Sequence, residues 1–439
     1  MVPLLHFATA AMAGKPKRLH WARHHRVLAG VLIVLILVGA GLVIAQDQET
    51  LRIRSSVAVQ DPRFPDYLAR LLGHQLTTGD SYIVHTNGDA AFPAMLAAIG
   101  GARQRVEFES YIYQDGDLAD RFTSAFEAAA RRGVAVRVVV DSFGSSRMSS
   151  KQIDRLKKAG VLLGWVNPLL GRSIEEANYR SHRKALVVDG RVAFVGGMGI
   201  ADQWIKDEKM PRWRDTQIEL HGPVVGDIEA GFNQNWILTG GTVDPQVPPE
   251  GPSTAGKAAS IVVWSAARSG ANELKLLYLL AIAGARHHID IESPYLITDE
   301  SSQWSLSEAR RRGVTIRMLV EGDKTDAKAV KFASRGDYEH LLEMGIELAE
   351  YQPTMMHAKA MVIDGLLSII GSANFDNRSL ELNDELNVAV FDPELAGRLE
   401  GDFERDLTRS KRLSLEAWRS RPIVEKGRDW LLSYFGEVL

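Results

Sequence analysis

His182-Arg-Lys184-Ala-Leu-Val-Val-Asp189-Gly190 returns 175 positions later as His357-Ala-Lys359-Ala-Met-Val-Ile-Asp364-Gly365. Each copy reads as the start of a strand, where side chains alternate with period two and an imidazole and an ammonium two residues apart share one face. A lone His-x-Lys before an apolar run is ordinarily an edge histidine and a solvated lysine. Four matching residues at equal spacing in two copies set that reading aside. Brought together, the two faces supply two histidines and two lysines around one anionic centre, the set that phosphoryl or phosphatidyl transfer through a covalent phosphohistidine requires. The candidate catalytic residues are His182, Lys184, Asp189, His357, Lys359 and Asp364. Within that set Asp189 and Asp364 each end an apolar run and precede a glycine, which favours a turn-forming role over acid–base work.

The repeat extends outward from the cassettes. Ala102-Arg-Gln-Arg-Val-Glu-Phe-Glu109-Ser matches Ala285-Arg-His-His-Ile-Asp-Ile-Glu292-Ser, and Ala130-Arg-Arg-Gly133-Val matches the stretch ending Arg-Gly313-Val. In the first copy a strand at 81–84 leads to a helix at 91–102, a strand at 105–113, a helix at 118–132 and a strand at 134–141. The alternation predicts an α/β fold of two tandem homologous domains, each a mixed sheet flanked by helices. A repeat this long means duplicated domains and excludes a solenoid. The expected organisation is a basic segment at 1–26, an anchor at 27–45, a connector at 46–80 with one short helix at 67–76, a first domain at 81–238, a Pro/Gly-rich linker at 239–258 and a second domain at 259–439.

The anchor is the uncharged run Val27 to Ala45, long enough to cross a hydrocarbon core as a transmembrane helix. Basic residues precede it and Asp47 and Glu49 follow it. The positive-inside rule then leaves the N-terminus in the cytoplasm and exports the body of the chain. A cleaved signal ending near Val43-Ile-Ala45 is the competing reading, and it exports the same part. A net charge of −3 over 439 residues argues against a nucleic-acid partner. The absence of cysteine excludes disulfides, thiolate metal sites and a cysteine nucleophile.

Beyond each Asp-Gly lies a second strand and a turn of small residues, Gly196-Gly197-Met-Gly199 in one copy and Gly371-Ser372-Ala-Asn374 in the other. Ser372 and Asn374 offer a hydroxyl and an amide to a bound phosphate, whereas Gly197 and Gly199 offer backbone N–H groups. Asp215 and Glu385 occupy matching positions further on, and a carboxylate behind each imidazole would fix its tautomer.

The two cassettes, Gly371-Ser-Ala-Asn374-Phe-Asp-Asn-Arg378-Ser379 and Glu385 resemble the phospholipase D superfamily. Within it, Phe108-Glu109-Ser-Tyr111, Glu292-Ser-Pro-Tyr295, Trp213-Arg-Asp215 and Gly222-Pro223 are similar to the bacterial cardiolipin synthases. Gly199 departs from the pattern, standing where these enzymes commonly carry Asn. The resemblance implies two homologous halves forming one pseudo-two-fold active site that needs no metal or organic cofactor. It implies His182 as nucleophile and His357 as general acid and base, with the reverse assignment open. It further implies a phosphatidyltransferase making cardiolipin and glycerol from two phosphatidylglycerol molecules, acting at the bacterial inner membrane as a single-pass protein with its catalytic region outside. Hydrolysis to phosphatidic acid, or nuclease chemistry of the same superfamily, is the alternative.

Overall fold

The computed structural model describes Gly30 and residues 50–168, 178–205, 211–243, 254–265 and 273–434. The expected anchor therefore lies, apart from Gly30, outside the described residues, as does 244–253 of the linker. Among the described residues no helix is long and apolar enough to cross a membrane.

In chain order the first half comprises α1 (Phe64–Leu72), β1 (Thr77–Thr86), α2 (Gly88–Gly101), β2 (Arg105–Ser110), α3 (Asp117–Arg131), β3 (Ala135–Asp141), α4 (Ser150–Lys158), β4 (Leu162–Val166), β5 (Arg180–Ser181), β6 (Lys184–Val188), β7 (Val192–Gly196), β8 (Thr216–His221) and α5 (Val224–Leu238). The second half follows with β9 (Ala258–Trp264), α6 (Glu273–Gly284), β10 (His288–Glu292), α7 (Glu300–Arg311), β11 (Thr315–Glu321), α8 (Lys328–Glu343), β12 (Glu347–Tyr351), β13 (Ala360–Ile363), β14 (Leu367–Gly371), β15 (Asn383–Asp384), β16 (Leu386–Phe391), α9 (Pro393–Leu407), β17 (Ser410–Arg412), α10 (Leu415–Arg419) and α11 (Ile423–Ser433). The connector helix ends earlier than the sequence suggests, because Gly73 takes a left-handed φ of 69° and caps it. β1 consequently begins at Thr77, ahead of the expected 81.

The strand order is β1-β8-β7-β6-β2-β3-β4 in the first half and β9-β16-β14-β13-β10-β11-β12 in the second, with β17 added at the outer edge. The halves join through antiparallel β1 and β9, where Thr77 faces Ser260. Identical orders meeting at an antiparallel pair relate the halves by an approximate two-fold. β2, β3 and β4 run parallel while β6, β7 and β8 run antiparallel, so the sheet is mixed as expected.

Alternation along the strands sorts the core into two layers. Leu186 and Val188 pack with Phe92, Phe122 and Phe126 of α2 and α3, while Ala185 and Val187 pack with Val225 and Ile228 of α5. The second half repeats this: Met361 and Ile363 face Leu277 and Leu306, and Ala360 and Val362 face Leu395 and Leu399. Strands covered on both faces must be apolar throughout, which explains runs such as Val138-Val-Val140. Each fully buried aliphatic side chain contributes about 1.5–3 kcal/mol.

The Asp-Gly pairs close hairpins. Asp189 and Asp364 have φ of 54° and Gly190 and Gly365 have φ of 63°, the two positive values that a primed turn between twisted strands demands. Arg191 N–H donates to Val188 O at 3.0 Å and Leu366 N–H to Ile363 O at 3.1 Å.

Candidate active site

The hairpin β6–β7 carries His182 and Lys184 at its open end, and β13–β14 does the same for His357 and Lys359. Between the functional pair, Arg183 points to the other side of the chain, donating to Gly231 O and Gln234 Oε1 on α5, each at 2.8 Å, and to Ser265 O at 2.6 Å. Period-two alternation thus separates the reactive face from a fully buried anchor.

Each histidine segment docks on the opposite half. β5 pairs with β15, and His182 N–H donates to Asp384 O at 2.8 Å. In the symmetry-related place His357 N–H donates to Arg214 O at 2.7 Å, and Arg214 N–H to Met355 O at 2.8 Å. This register sets the side chains. His182 Nδ1 lies 2.9 and 3.1 Å from the two carboxylate oxygens of Glu385, and His357 Nδ1 lies 2.8 Å from Asp215 Oδ2. The carboxylates sit behind the imidazoles as the sequence suggested, but crosswise, each serving the histidine of the other half. With Nδ1 occupied, Nε2 of each ring is the reacting nitrogen.

The two carboxylates are held differently. Glu385 accepts from the Ser372 hydroxyl at 2.5 Å and from Asn383 Nδ2 at 3.3 Å. Asp215 accepts from the indole N–H of Trp204 at 2.8 Å and from Thr216 N–H at 2.8 Å. Trp204 and Trp213 both pack on His357 with ring centroids 5.3 Å away, and Tyr111 meets His182 edge-on at 5.0 Å. Trp204 falls in no motif. Its signal was indirect: a first half with glycine in place of Ser372 leaves Asp215 needing another donor.

These contacts correct several expectations. Ser372, expected at the substrate, has its hydroxyl committed to Glu385, and that hydroxyl also accepts from Leu386 N–H at 3.0 Å. Asn374 donates toward Asp376 with one amide proton, and its buried Oδ1 has no hydrogen-bond partner among the described residues, so a second N–H and an acceptor both remain for a bound substrate. The N–H of Gly197 is spent on Thr216 O at 3.3 Å. Gly197 is small for a different reason: a Cβ there would stand 2.3 Å from Asp215 Oδ1. Gly199 is pinned by packing, since a Cβ would meet that of Ile112 at 2.8 Å, a constraint compatible with the backbone contact expected of it.

Asp189 and Asp364 lie at the turn end of their hairpins, about 16 Å of strand from the reactive groups at ~3.3 Å per residue. The Asp189 carboxylate accepts from the backbone N–H of Arg103, Gln104 and Arg105 at 2.9, 2.8 and 2.9 Å. Asp364 accepts from those of Arg286, His287 and His288 at 2.7, 2.7 and 2.8 Å. Both are clips that fix the start of β2 and β10, so their inclusion in the catalytic set is corrected. Replacing either with alanine should lower unfolding free energy by about 1–3 kcal/mol through the stranded N–H groups. Urea titration would register that loss while kcat of the folded enzyme stays unchanged; a large drop in kcat at full folding would contradict the structural role.

Burial pushes the His182 imidazole down to about 4 against the opposing pull of Glu385, and burial with the Lys359 charge lowers His357 as well. Burial also brings Lys184 to about 7 and Lys359 to about 8, with nearby carboxylates holding them up. Glu385, despite burial that works the other way, is held at about 2 by His182 and Lys184, and Asp215 is lowered by His357 and Lys359. Burial is the largest cause of all four depressed values, and the charges of Glu385 and Asp215 oppose it. Lys184 and Lys359 each use one ammonium proton on a carbonyl two residues back, that of His182 or His357, at 2.7 Å.

The family described as cardiolipin synthase, PLD-like domain, matches residues 95–236 and 278–407. The probable cardiolipin synthase YwiE of Bacillus subtilis is 32% identical over 389 residues, covering 86% of this chain and 76% of the relative. The cardiolipin synthase of Geobacillus kaustophilus is 31% identical over 362 residues, covering 80% and 71% respectively. Among solved structures, phosphatidylserine synthase of Haemophilus influenzae superposes with a TM-score of 0.65 at 14% identity, covering 86% of this chain and 98% of that one, a likeness of fold.

Proposed function

Because the chain belongs to the phospholipase D-like family of cardiolipin synthases, we propose that it is a phosphatidyltransferase that joins two phosphatidylglycerol molecules into cardiolipin and glycerol. The observation that carries this reading is the pair of crossed histidine–carboxylate contacts with two lysines between them.

His182 is the nucleophile. Its side chain is 12% exposed against 5% for His357, so its Nε2 is the more open of the two to a phosphodiester. Nε2 attacks the phosphodiester phosphorus, and the bond from phosphorus to the departing glycerol oxygen breaks. The proton on His357 Nε2 passes to that oxygen. Glu385 steadies the positive ring of the resulting phosphohistidine through Nδ1. A hydroxyl of the second phosphatidylglycerol then attacks phosphorus, gives its proton to His357 and releases neutral His182. The negative charge of the bound phosphodiester raises the basicity of His357 and of both lysines for this cycle. Lys184 and Lys359 offset charge on the non-bridging oxygens.

The apolar run at 27–45 and the charge bias around it support a single-pass anchor at the bacterial inner membrane with the catalytic region outside. Incubation of the full chain with phosphatidylglycerol in mixed micelles tests the reaction. Cardiolipin and glycerol in equal amounts are expected. Phosphatidic acid alone would convert the reading to hydrolysis, and cleavage of single-stranded DNA without lipid turnover would remove it.

A further inference from the structure

The helix α11 is inside out. An amphipathic surface helix ordinarily turns its apolar stripe to the core. Here Ile423, Val424, Trp430 and Leu431 are 84%, 80%, 72% and 54% exposed. At about 100° per residue these four and Gly427 fall within an arc of about 120°. The polar side is the buried one. Asp429, 2% exposed, accepts from Arg421 at 2.6 Å, Arg428 at 2.7 Å and Arg335 of α8 at 3.3 Å. Arg428 also lies over the ring of Phe332 on α8 at 3.5 Å. A buried, triply paired carboxylate fixes the rotation of the helix, so the apolar face is held outward by the fold.

Charge says what covers it. Lys426 and Arg428 stand on the two flanks of the apolar arc, one on each side. Residues 408–434 hold seven Lys or Arg against three Asp or Glu, in a chain whose net charge is −3; Arg412 and Arg419 pair with Glu347 and Glu339, while Lys411 and Lys426 form no ion pair among the described residues. An apolar face edged with cations and carrying a tryptophan is the pattern of a helix lying in a lipid headgroup layer. We propose that α11 is an interfacial helix that seats the catalytic body on an anionic phospholipid surface, with Ile423, Val424, Trp430 and Leu431 in the acyl boundary and Lys426 at the phosphates. The choice of an anionic lipid surface accords with the phosphatidylglycerol reading and rests on it in part; the outward apolar face does not.

The chain contains no cysteine, so a single probe site is simple to build. Val424→Cys carries an environment-sensitive fluorophore on the full chain, with Gln104→Cys at an exposed position of the first half as control. Each is reconstituted into nanodiscs of phosphatidylglycerol or of phosphatidylcholine. In phosphatidylglycerol discs the probe at 424 should shift to the blue, lose its quenching by iodide and be quenched by shallow doxyl lipids. These changes should be smaller in phosphatidylcholine discs and absent at 104. Adding Trp430→Asp and Leu431→Asp should return the 424 probe to water without altering the melting curve. Full iodide access in both discs would overturn the proposal. So would protection in detergent that rises with protein concentration, the sign of a second copy on this face. No lipid turnover is read, so an enzyme inactive on phosphatidylglycerol would sink the proposed function and leave this measurement standing.

Discussion

His182→Ala and His357→Ala should each reduce cardiolipin formation by at least about 10⁴-fold, since one removes the atom that bonds to phosphorus and the other the proton donor for an alkoxide leaving group. A nitrophenyl phosphodiester separates the roles, because nitrophenolate departs without a proton. His357→Ala should then still release nitrophenol in a single burst and hold the phosphoryl group on His182, detectable as an acid-labile, base-stable mass increment. His182→Ala should release none. The opposite outcome, a burst only in His182→Ala, would exchange the two assignments. Loss of both activities with an unchanged fold would point to a mechanism without a covalent intermediate.

Lys184→Ala and Lys359→Ala are expected to cost about 10²–10³-fold each in kcat/KM, the range for deleting one donor to transition-state charge. The pH profile supplies a sharper test. Lysines at about 7 and about 8 are charged below those values and neutral above them, so the ability to hold phosphate is lost as pH rises. The alkaline limb of kcat/KM should therefore fall no higher than about 7 to 8, as an apparent value to which loss of the His357 proton also contributes, and far below an ordinary lysine. On the acid side, protonation of His182 near 4 removes the nucleophile and sets the other limb. Arginine at either lysine position keeps its charge at every working pH, so it should move the alkaline limb upward even if it slows turnover. An alkaline limb that stays put in both arginine variants would mean that some other group titrates there.

The doubled cassette made the duplicated α/β fold legible, because period two and the Asp-Gly turn are local properties of nine residues. The turn role of Asp189 and Asp364 was visible for the same reason: aspartate before glycine is a hairpin signature whatever the surrounding chemistry. The carboxylates were found by alignment, but their crossing was not, since His182 and Glu385 are 203 residues apart and His357 and Asp215 are 142 apart. Which half a carboxylate serves is decided by the edge pairing of β5 with β15, and two-residue strands leave no periodic trace. Ser372 shows a further limit. A hydroxyl at that position is compatible with either a phosphate or Glu385, and only geometry chooses. Trp204 lies in a short turn with no pattern around it, so nothing local announced a donor to Asp215.

The crossing also means that neither half is a working unit in isolation. A chain cut at the linker would carry one imidazole with no carboxylate behind it and one carboxylate facing nothing. Such a half could rebuild the arrangement only by meeting a copy of itself across a two-fold, giving and receiving the same contact. Joining the halves in one polypeptide removes that dependence on concentration and frees the two carboxylate supports to differ, one resting on a serine hydroxyl and the other on an indole. Asymmetric chemistry, with one histidine to attack and one to carry the proton, thereby becomes something each half can be tuned for separately.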